Sequence, residues 1–258
     1  MSLNIPSYDV LGIPISAVTM RLAVDKTLSL IADRTPSIIT ARDVHGVMLS
    51  QRDTALFRIH QSSSLNLPDG MPLVVLGRIS GFDVSRVSGP DFVRELCQAG
   101  VARGLRHFFY GGKEGVADAM SRNLANITGG CIIAGFATPP MGVDPSVIDH
   151  DLIDVIKLSN ADVLWVGLST PKQELWMSNN VGELNGMTLV GIGAAFDIYA
   201  GLVKRPPIWM QNAGLEWSYR LLNEPRRLWR RYLMLAPRFV YQVALTKLSG
   251  RRRSSAAR

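Results

Sequence analysis

Short apolar runs alternate with stretches of helical periodicity along most of the chain. The clearest run, 163–166, is uninterrupted and is typical of a strand buried on both faces of a sheet. Further runs of this kind lie at 37–40, 107–110, 131–134 and 188–192. Because strands that alternate with helices pair in parallel, the pattern predicts a Rossmann-like α/β fold with a mostly parallel sheet flanked by helices.

The first elements of the chain are less regular. One strand is predicted over 10–15, interrupted by Gly12 and Pro14, and a helix is predicted over 17–32 from the spacing of its apolar residues. Asp43 is predicted to cap the helix that follows the strand at 37–40, because a short acidic side chain accepts hydrogen bonds from a free helix N-terminus.

The loop after the strand at 163–166 is a candidate ligand site. Ser169 or Thr170 is predicted to cap the next helix, with Pro171 at its first position. Open α/β sheets bind anions where strand C-termini meet helix N-termini. Lys172 and Gln173 would add a cation and an amide there, which suits a nucleotide sugar. An ordinary, well-capped connection is the alternative interpretation of the same residues.

Asp69 is the best candidate for a general base. It follows the apolar residues Leu65 and Leu67 at a predicted strand-to-helix turn, and Gly70 beside it lets a substrate approach the backbone closely. A carboxylate in that place could take a proton from a hydroxyl nucleophile. The alternative is an aspartate that only stabilises the turn or caps the helix.

Gly111 and Gly112 begin a glycine-rich loop directly after the predicted strand at 107–110. The loop resembles a phosphate cradle but matches neither the dinucleotide fingerprint nor the P-loop. A Rossmann-type oxidoreductase would need that fingerprint and an acidic residue further on, so this class of enzyme gains no support.

Metal and hydrolase chemistry also gain little support. Asp149 and Asp151 form a DxD pattern, as in metal-dependent glycosyltransferases, but acids are also favoured where a helix begins, as one is predicted to here. The four histidines show no ligand spacing, and no GxSxG motif is present. Cys97 and Cys131 are far apart in the sequence and are expected to be buried free thiols. We therefore predict no metal site and no cofactor.

The net charge of +7 is distributed unevenly. Residues 204–258 contain 13 basic and two acidic residues, a net charge of +11, which leaves −4 for residues 1–203. Tryptophans and tyrosines alternate with the arginines in the basic part, the pattern of an amphipathic element that binds a membrane surface. We predict an α/β domain over 1–203, a basic helical appendage over 204–248 that binds membrane, and a disordered basic tail over 249–258.

Two other interpretations of the basic segment are possible. Its helix could dock on the core and expose a solvated arginine face. Alternatively, interleaved arginines and aromatic residues could bind nucleic acid in a non-catalytic module. No secretory signal and no apolar run long enough for a transmembrane helix occur in the sequence, so a cytoplasmic protein is expected.

Five blocks of sequence carry a resemblance to the WecG/TagA/CpsF glycosyltransferases, glycosyltransferase family 26. The last two are long and specific, and together the blocks span most of the chain. They are LPDGMPLV (67–74), RVSGPDF (86–92), FFYGGKEGV (108–116), VLWVGLSTPKQE (163–174) and the segment 191–233 from GIGAAF to WRRYL.

The resemblance implies an inverting, metal-independent hexosyltransferase at the inner face of the cell membrane. Such an enzyme moves N-acetylmannosamine, its uronate or glucose from a UDP-sugar to a sugar on polyprenyl diphosphate, in cell-surface or exopolysaccharide synthesis. The implied partners are the donor, the lipid acceptor and an anionic membrane surface. A homo-oligomer is compatible with the resemblance, and no nucleic acid partner is expected.

The resemblance also implies that the α/β domain over 1–203 is catalytic and that the appendage over 204–248 closes its active site. It implies roles for individual residues as well. Asp69 matches the catalytic base, and Thr40, Arg86 and Gln173 match other polar positions of the pocket. The family often reads Thr-Pro-Asn where this chain has Thr40-Ala41-Arg42. The arginines of the basic segment match those that bind the lipid diphosphate and the membrane; they are Arg220, Arg226, Arg227, Arg230 and Arg231.

Overall fold

The computed structural model describes the backbone of residues 3–140, 142, 144–229 and 233–255, and the side chains of these residues except 212, 227 and 247–255. The strands are Ser7–Val10 (β1), Ile13–Ser16 (β2), Ser37–Arg42 (β3), Leu65–Pro68 (β4), Arg106–Gly111 (β5), Ile132–Ala137 (β6), Val163–Gly167 (β7) and Thr188–Gly191 (β8). The helices of the first half are Met20–Ala32 (α1), Val44–Ser50 (α2), Thr54–Ser62 (α3), Met71–Ile79 (α4), Gly89–Val101 (α5) and Val116–Ile127 (α6). Those of the second half are His150–Leu158 (α7), Lys172–Asn180 (α8), Ala195–Tyr199 (α9), Ile208–Asn212 (α10), Glu216–Asn223 (α11), Pro225–Trp229 (α12) and Leu235–Ser255 (α13).

Six of these strands form one parallel sheet in the order β4-β3-β8-β7-β5-β6. This sheet, with helices flanking it, confirms the predicted α/β architecture. Parallel pairing also places the C-terminal ends of all six strands at one edge, which is where open sheets of this kind bind ligands.

The single strand predicted over 10–15 is wrong. The segment folds back on itself, and β1 pairs with β2 in an antiparallel hairpin. Leu11 and Gly12 both adopt positive φ angles, 55° and 83°, between the two strands. Positive φ at both central positions is the geometry of a tight two-residue hairpin turn.

Strand β7 lies in the middle of the core, as its apolar sequence predicts. Val163 and Trp165 belong to one hydrophobic cluster, and Leu164 and Val166 belong to another. All four side chains are fully buried. Successive residues of a strand point to opposite faces, so β7 fills the core on both sides of the sheet.

The C-terminal helices pack partly against this body. Phe239 of α13 is buried in a third cluster that includes Val47 and Met48 of α2 and Leu73 of α4. Helix α13 continues to Ser255, beyond the boundary predicted at residue 248. No helix in the described part of the chain has the length and apolarity needed to cross a membrane.

The two cysteines, distant in sequence, are neighbours in the fold. Cys97 lies on α5 and Cys131 directly before β6, close enough for each thiol to influence the pKa of the other. Both are buried and free, as predicted.

Candidate active site

Two neighbouring cavities open at the C-terminal edge of the sheet. The larger, about 890 Å³, lies at the ends of β3 and β4 and is closed by α4, α11 and α13. The smaller, about 290 Å³, lies at the ends of β5, β7 and β8. Pro90 lines the larger cavity and Gly193 lines the smaller one. Gly89 and Ile192 are in contact between them, since a Cβ on Gly89 would lie 3.2 Å from the Ile192 carbonyl oxygen.

Asp69 lies at the polar end of the larger cavity. Its backbone N–H donates to the carbonyl of Arg42 at the end of β3 (2.9 Å), so the turn after β4 is tied to the neighbouring strand. The Arg86 guanidinium donates to the Asp69 carbonyl oxygen through Nε (2.8 Å) and to Oδ1 through Nη2 (3.2 Å). The Asp69 side chain keeps 29% of its surface accessible, so a ligand in the cavity can reach it.

Arg86 joins Asp69 to the C-terminal helices. Its Nη1 and Nη2 donate to the two carboxylate oxygens of Glu216, at the start of α11, at 2.9 and 2.7 Å. A guanidinium has five N–H donors, and four are used by Asp69 and Glu216. Arg86 therefore holds the Asp69 carboxylate in place and links α11 to it.

The pKa of Asp69 is raised above its ordinary value. The largest cause is burial of the carboxyl group, and the nearby carboxylates of Asp43 and Glu216 act in the same direction. Arg86 and Arg220 lower the pKa and offset part of this effect. A carboxylate with a raised pKa is a stronger base near neutral pH, which suits a proton acceptor.

The other end of the larger cavity is apolar. Val75, Leu76 and Ile79 of α4 face Phe239 and other residues of α13 across it. Val75 and Ile79 are 46% and 68% exposed, which is unusual for large aliphatic side chains on one helix face. The remaining lining residues from this end are Leu233, Ala236, Val240, Val243 and Ala244.

The smaller cavity contains the glycine-rich loop and the start of α8. Gly112, Lys113 and Lys172 line it. Gly111 lies behind this wall, where β5 and β7 approach so closely that a Cβ on it would lie 2.6 Å from the Cα of Gly167. Two lysine side chains and two loops at strand ends give this cavity the chemistry of an anion site.

The predicted cap of α8 is wrong. The helix begins at Lys172 after Pro171, and no side chain accepts a hydrogen bond from its first N–H groups. Ser169 has a left-handed backbone with φ of 66°. The Thr170 hydroxyl does not cap the helix because it donates to the Glu174 carboxylate instead, at 3.0 Å.

Two of the predicted pocket residues lie beneath the cavities. Thr40 is fully buried and its hydroxyl donates to Asn66 Oδ1 at 2.7 Å, which links β3 to β4. Gln173 is 3% exposed and packs under the smaller cavity. Neither residue lines a cavity wall.

Of the predicted arginines, Arg220 lines the larger cavity from α11. Arg226 is exposed on α12. The side chain of Arg227, and Arg230 and Arg231 entirely, lie outside the described residues.

Several residues of the larger cavity were not predicted. Glu216 was visible in the sequence only as one of two acids in a basic segment, and its partner Arg86 is 130 positions away. Asp43 caps α2 as predicted, since its Oδ1 accepts from the Gly46 N–H at 2.9 Å. It also lines the cavity together with His45, which a capping pattern does not indicate.

Asp149 is the N-cap of α7, and its Oδ1 accepts from the Leu152 N–H at 3.1 Å. The interpretation of the DxD pattern as a helix start is thereby confirmed. Within residues 3–140, 142, 144–229 and 233–255, no three His, Cys, Asp or Glu residues form a group that could hold a metal ion.

Comparisons with known proteins identify the family of this chain. The sequence matches the model of the glycosyl transferase WecG/TagA/CpsF family over residues 8–253. It is 33% identical over 198 residues to the N-acetylglucosaminyldiphosphoundecaprenol N-acetyl-beta-D-mannosaminyltransferase of Bacillus subtilis (strain 168), covering 74% of this chain and 73% of the relative. The protein of the same description from Bacillus spizizenii (strain ATCC 23059 / NRRL B-14472 / W23) is 34% identical over 185 residues, covering 70% and 68%.

The chain belongs to the WecG/TagA/CpsF family of glycosyltransferases. It is an enzyme of the hexosyltransferase class, as the resemblance of its sequence blocks implied.

Proposed function

We propose that this enzyme transfers a hexose from a UDP-sugar to the sugar of a polyprenyl-diphosphate-linked acceptor, with inversion at the anomeric carbon. The observation that carries the proposal is the larger cavity, in which a carboxylate with a raised pKa lies at one end and an apolar groove at the other. This combination fits an acceptor with a sugar hydroxyl and a hydrocarbon tail. The two relatives, by their names, act on a diphosphoundecaprenol-linked sugar.

The acceptor would bind along the length of the larger cavity. Its sugar would lie at Asp69, its diphosphate near Arg220, and its polyprenyl chain between α4 and α13. Arg86 is already bound to two carboxylates, so Arg220 is the better candidate for the acceptor diphosphate. A charge-assisted hydrogen bond from arginine suits a diphosphate oxygen.

The donor would bind in the smaller cavity. The UDP diphosphate would lie near Lys113 and Lys172, between the loops that end β5 and β7. The names of the relatives favour N-acetylmannosamine as the sugar. Its uronate and glucose are the alternatives for the test.

In the reaction, Asp69 would take the proton of the acceptor hydroxyl as its oxygen attacks the anomeric carbon. The new glycosidic C–O bond forms on the face opposite UDP, and the bond to UDP breaks with its electron pair leaving on the diphosphate. A single displacement of this kind inverts the anomeric configuration. Lys113 and Lys172 would stabilise the charge that develops on the departing diphosphate.

The C-terminal helices would hold the enzyme on the inner face of the membrane. They expose large apolar side chains beside the basic residues Arg226 and Arg238. An interfacial element needs this combination of apolar and cationic side chains. The most exposed apolar residues are Ile208, Trp209, Leu222, Leu233, Val240 and Tyr241.

Turnover of a panel of UDP-sugars tests the proposal, with a short-chain polyprenyl-diphosphate N-acetylglucosamine as acceptor. We expect transfer from UDP-N-acetylmannosamine and a β-linked product. UDP-glucose and the uronate are the comparison donors. Absence of transfer from every UDP-sugar to this acceptor would contradict the proposal.

Removal of divalent metal tests the metal independence that the sequence predicts. Because the charge on the departing diphosphate is assigned to lysines, we expect EDTA to leave the transfer rate unchanged. Loss of activity with EDTA and its return with Mn²⁺ or Mg²⁺ would contradict this assignment.

A further inference from the structure

A buried polar cluster joins the end of β3 to helices α3 and α8. Arg42 at the end of β3, His60 on α3 and Glu174 on α8 have side chains with 1% exposure or less. Burying an ion pair requires the desolvation of both ions, so such a pair is weak evidence for stability. Arg42 Nε, His60 Nδ1 and Glu174 Oε2 have no hydrogen-bond partner within the described part of the chain. Buried polar atoms normally have hydrogen-bond partners, so three unpaired atoms in one cluster indicate a functional role.

The contacts of Arg42 define the charge state of the cluster. Arg42 Nη2 donates to Glu174 Oε1, and Nη1 lies 2.8 Å from His60 Nε2. Because a guanidinium only donates, His60 Nε2 must accept and the imidazole is neutral. Burial, together with the charge of Arg42, lowers the pKa of His60 to about 2, in agreement with this state. The cluster therefore contains one cation and one anion.

Glu174 connects the cluster to Gln173 through a hydrogen bond. Its Oε1 accepts from Arg42, from the Thr170 hydroxyl (3.0 Å) and from Gln173 Nε2 (2.9 Å). The third bond fixes the Gln173 amide, so its carbonyl oxygen must point away from Glu174. That oxygen, Oε1, is buried without a partner among the described residues.

The unpaired oxygen of Gln173 is buried next to Gly193, a residue in the wall of the smaller cavity. A Cβ on Gly193, which lines that cavity, would lie 3.5 Å from Gln173 Oε1. A Cβ on Gly191 would lie 3.1 Å from Gln173 Nε2. Gly191 and Gly193, at the end of β8, therefore lie next to the Gln173 amide and place no side chain of their own against it.

We propose that Arg42 and Glu174 are a positioning pair for the donor site: they orient Gln173 so that its free carbonyl oxygen accepts a hydrogen bond from an N–H or O–H group of the nucleotide sugar. The inference rests on the proposed function of the smaller cavity. It also gives Arg42 a role, because Arg42 lines neither cavity and acts through Glu174.

The test is donor affinity in the variant Arg42→Met/Glu174→Met, which removes both charges and keeps similar volumes. We expect the dissociation constant of UDP-N-acetylmannosamine, measured by calorimetry, to rise about tenfold, as for the loss of one well-placed hydrogen bond. The acceptor KM should stay unchanged. Leu124→Ala, a buried change on α6, is the control that lowers stability without touching the cluster.

A double-mutant cycle with Gln173→Ala shows whether the pair acts through Gln173. Adding Gln173→Ala to the methionine variant should weaken donor binding no further. Additive effects, or parental donor affinity in the folded methionine variant, would overturn the inference. If the methionine variant does not fold, Arg42→Lys is used instead because it keeps the charges, and its donor affinity should fall. Parental donor affinity in Arg42→Lys, together with weakened donor binding in Gln173→Ala, would also overturn the inference.

The parent enzyme separates this inference from the proposed function. If the parent binds the donor and the variants bind it equally well, only the positioning role is overturned. A parent that binds no UDP-sugar would overturn the proposed function and the positioning role together.

Discussion

The structure around Asp69 disfavours the ionised form of its carboxyl group. Burial and the carboxylates of Asp43 and Glu216 raise its pKa, and Arg86 and Arg220 only partly offset them. A carboxyl group whose pKa is raised by folding stabilises the protein fully below its unfolded pKa, and this contribution is lost as the pH rises through the folded pKa. The proposed base therefore lowers stability at neutral pH, a cost often associated with active sites.

Asp69→Asn separates function from stability at this residue. The catalytic rate should fall ~100-fold or more, because the amide keeps the shape and cannot accept the proton. The melting temperature at pH 7 should be equal to or higher than that of the parent, and any gain should disappear at acid pH, where Asp69 is protonated. Near-normal turnover by the folded variant would remove Asp69 from the mechanism.

The pH profile of kcat/KM should report the environment of Asp69. Activity should fall as the pH drops through the pKa of the carboxyl group, and this acidic limb should lie above the ordinary aspartate range. Arg86→Gln removes a cation that lowers the pKa, so the limb should move to higher pH. Arg103→Gln, an exposed change on the surface, is the matched control. A limb that stays in place in Arg86→Gln would contradict this account.

The sequence predicts the positions of some site residues in the fold but not of others. Asp69 stands next to Gly70 in a recognisable turn, so its position at a strand end follows from local pattern. The partnership of Arg86 with Glu216 joins residues 130 positions apart, and no local pattern carries that information. The sequence resemblance predicts pocket positions for Thr40 and Gln173, but only the packing of the fold shows that both are buried.

Elements were predicted well where hydrophobic periodicity decides the structure. Strand β7 is fully apolar and was predicted closely. The β1–β2 hairpin was missed because its turn depends on the left-handed conformation of Leu11 as well as Gly12. Helix α3 is not among the predicted elements either, although Asp53, its N-cap, is a residue type typical of a helix start. The start of α8 was misjudged because Thr170 bonds to a buried carboxylate that only the fold places beside it.

Gly111→Ala tests how the end of β5 shapes the smaller cavity. Gly111 has φ of 154°, and an added Cβ would meet Gly167 backbone atoms at 2.6 to 2.7 Å. Backbone atoms cannot move aside easily, so the variant should lose about 2–4 kcal/mol of unfolding free energy in urea and bind UDP more weakly. Gly104→Ala, also at positive φ but with open space around it, should cost about 1 kcal/mol and leave UDP binding intact. Equal losses in the two variants would contradict the steric explanation.

The whole molecule is electrically asymmetric. Residues 204–258 carry a net charge of +11 and residues 1–203 carry −4. Each basic residue near an anionic leaflet contributes about 1 kcal/mol to binding, and salt screens this attraction. The same segment contributes Glu216 and Arg220 to the larger cavity. Under the proposed function, membrane binding and catalysis would therefore depend on different arginines of one segment.

Two sets of variants test this division. Arg220→Gln should lower turnover even with a water-soluble acceptor, because Arg220 lines the cavity. Replacing Arg251, Arg252 and Arg253 together by glutamine should weaken flotation with anionic liposomes and leave soluble-acceptor turnover unchanged. If both sets had the same effect in both assays, the arginines would form a single electrostatic anchor.

Helix α13 has two different surfaces, and their combination has a consequence for how substrate arrives. Phe239 is buried and forms part of the cavity wall, whereas Tyr241 and Leu245 on the same helix are 65% and 47% exposed. Under the proposed function, the helix that lies against the bilayer is also one side of the acceptor groove. An isoprenoid chain could then enter the groove laterally from the bilayer while most of its length remains among the lipids. The enzyme would search for acceptors by diffusion in two dimensions, and the product would leave by the same lateral route without ever crossing water.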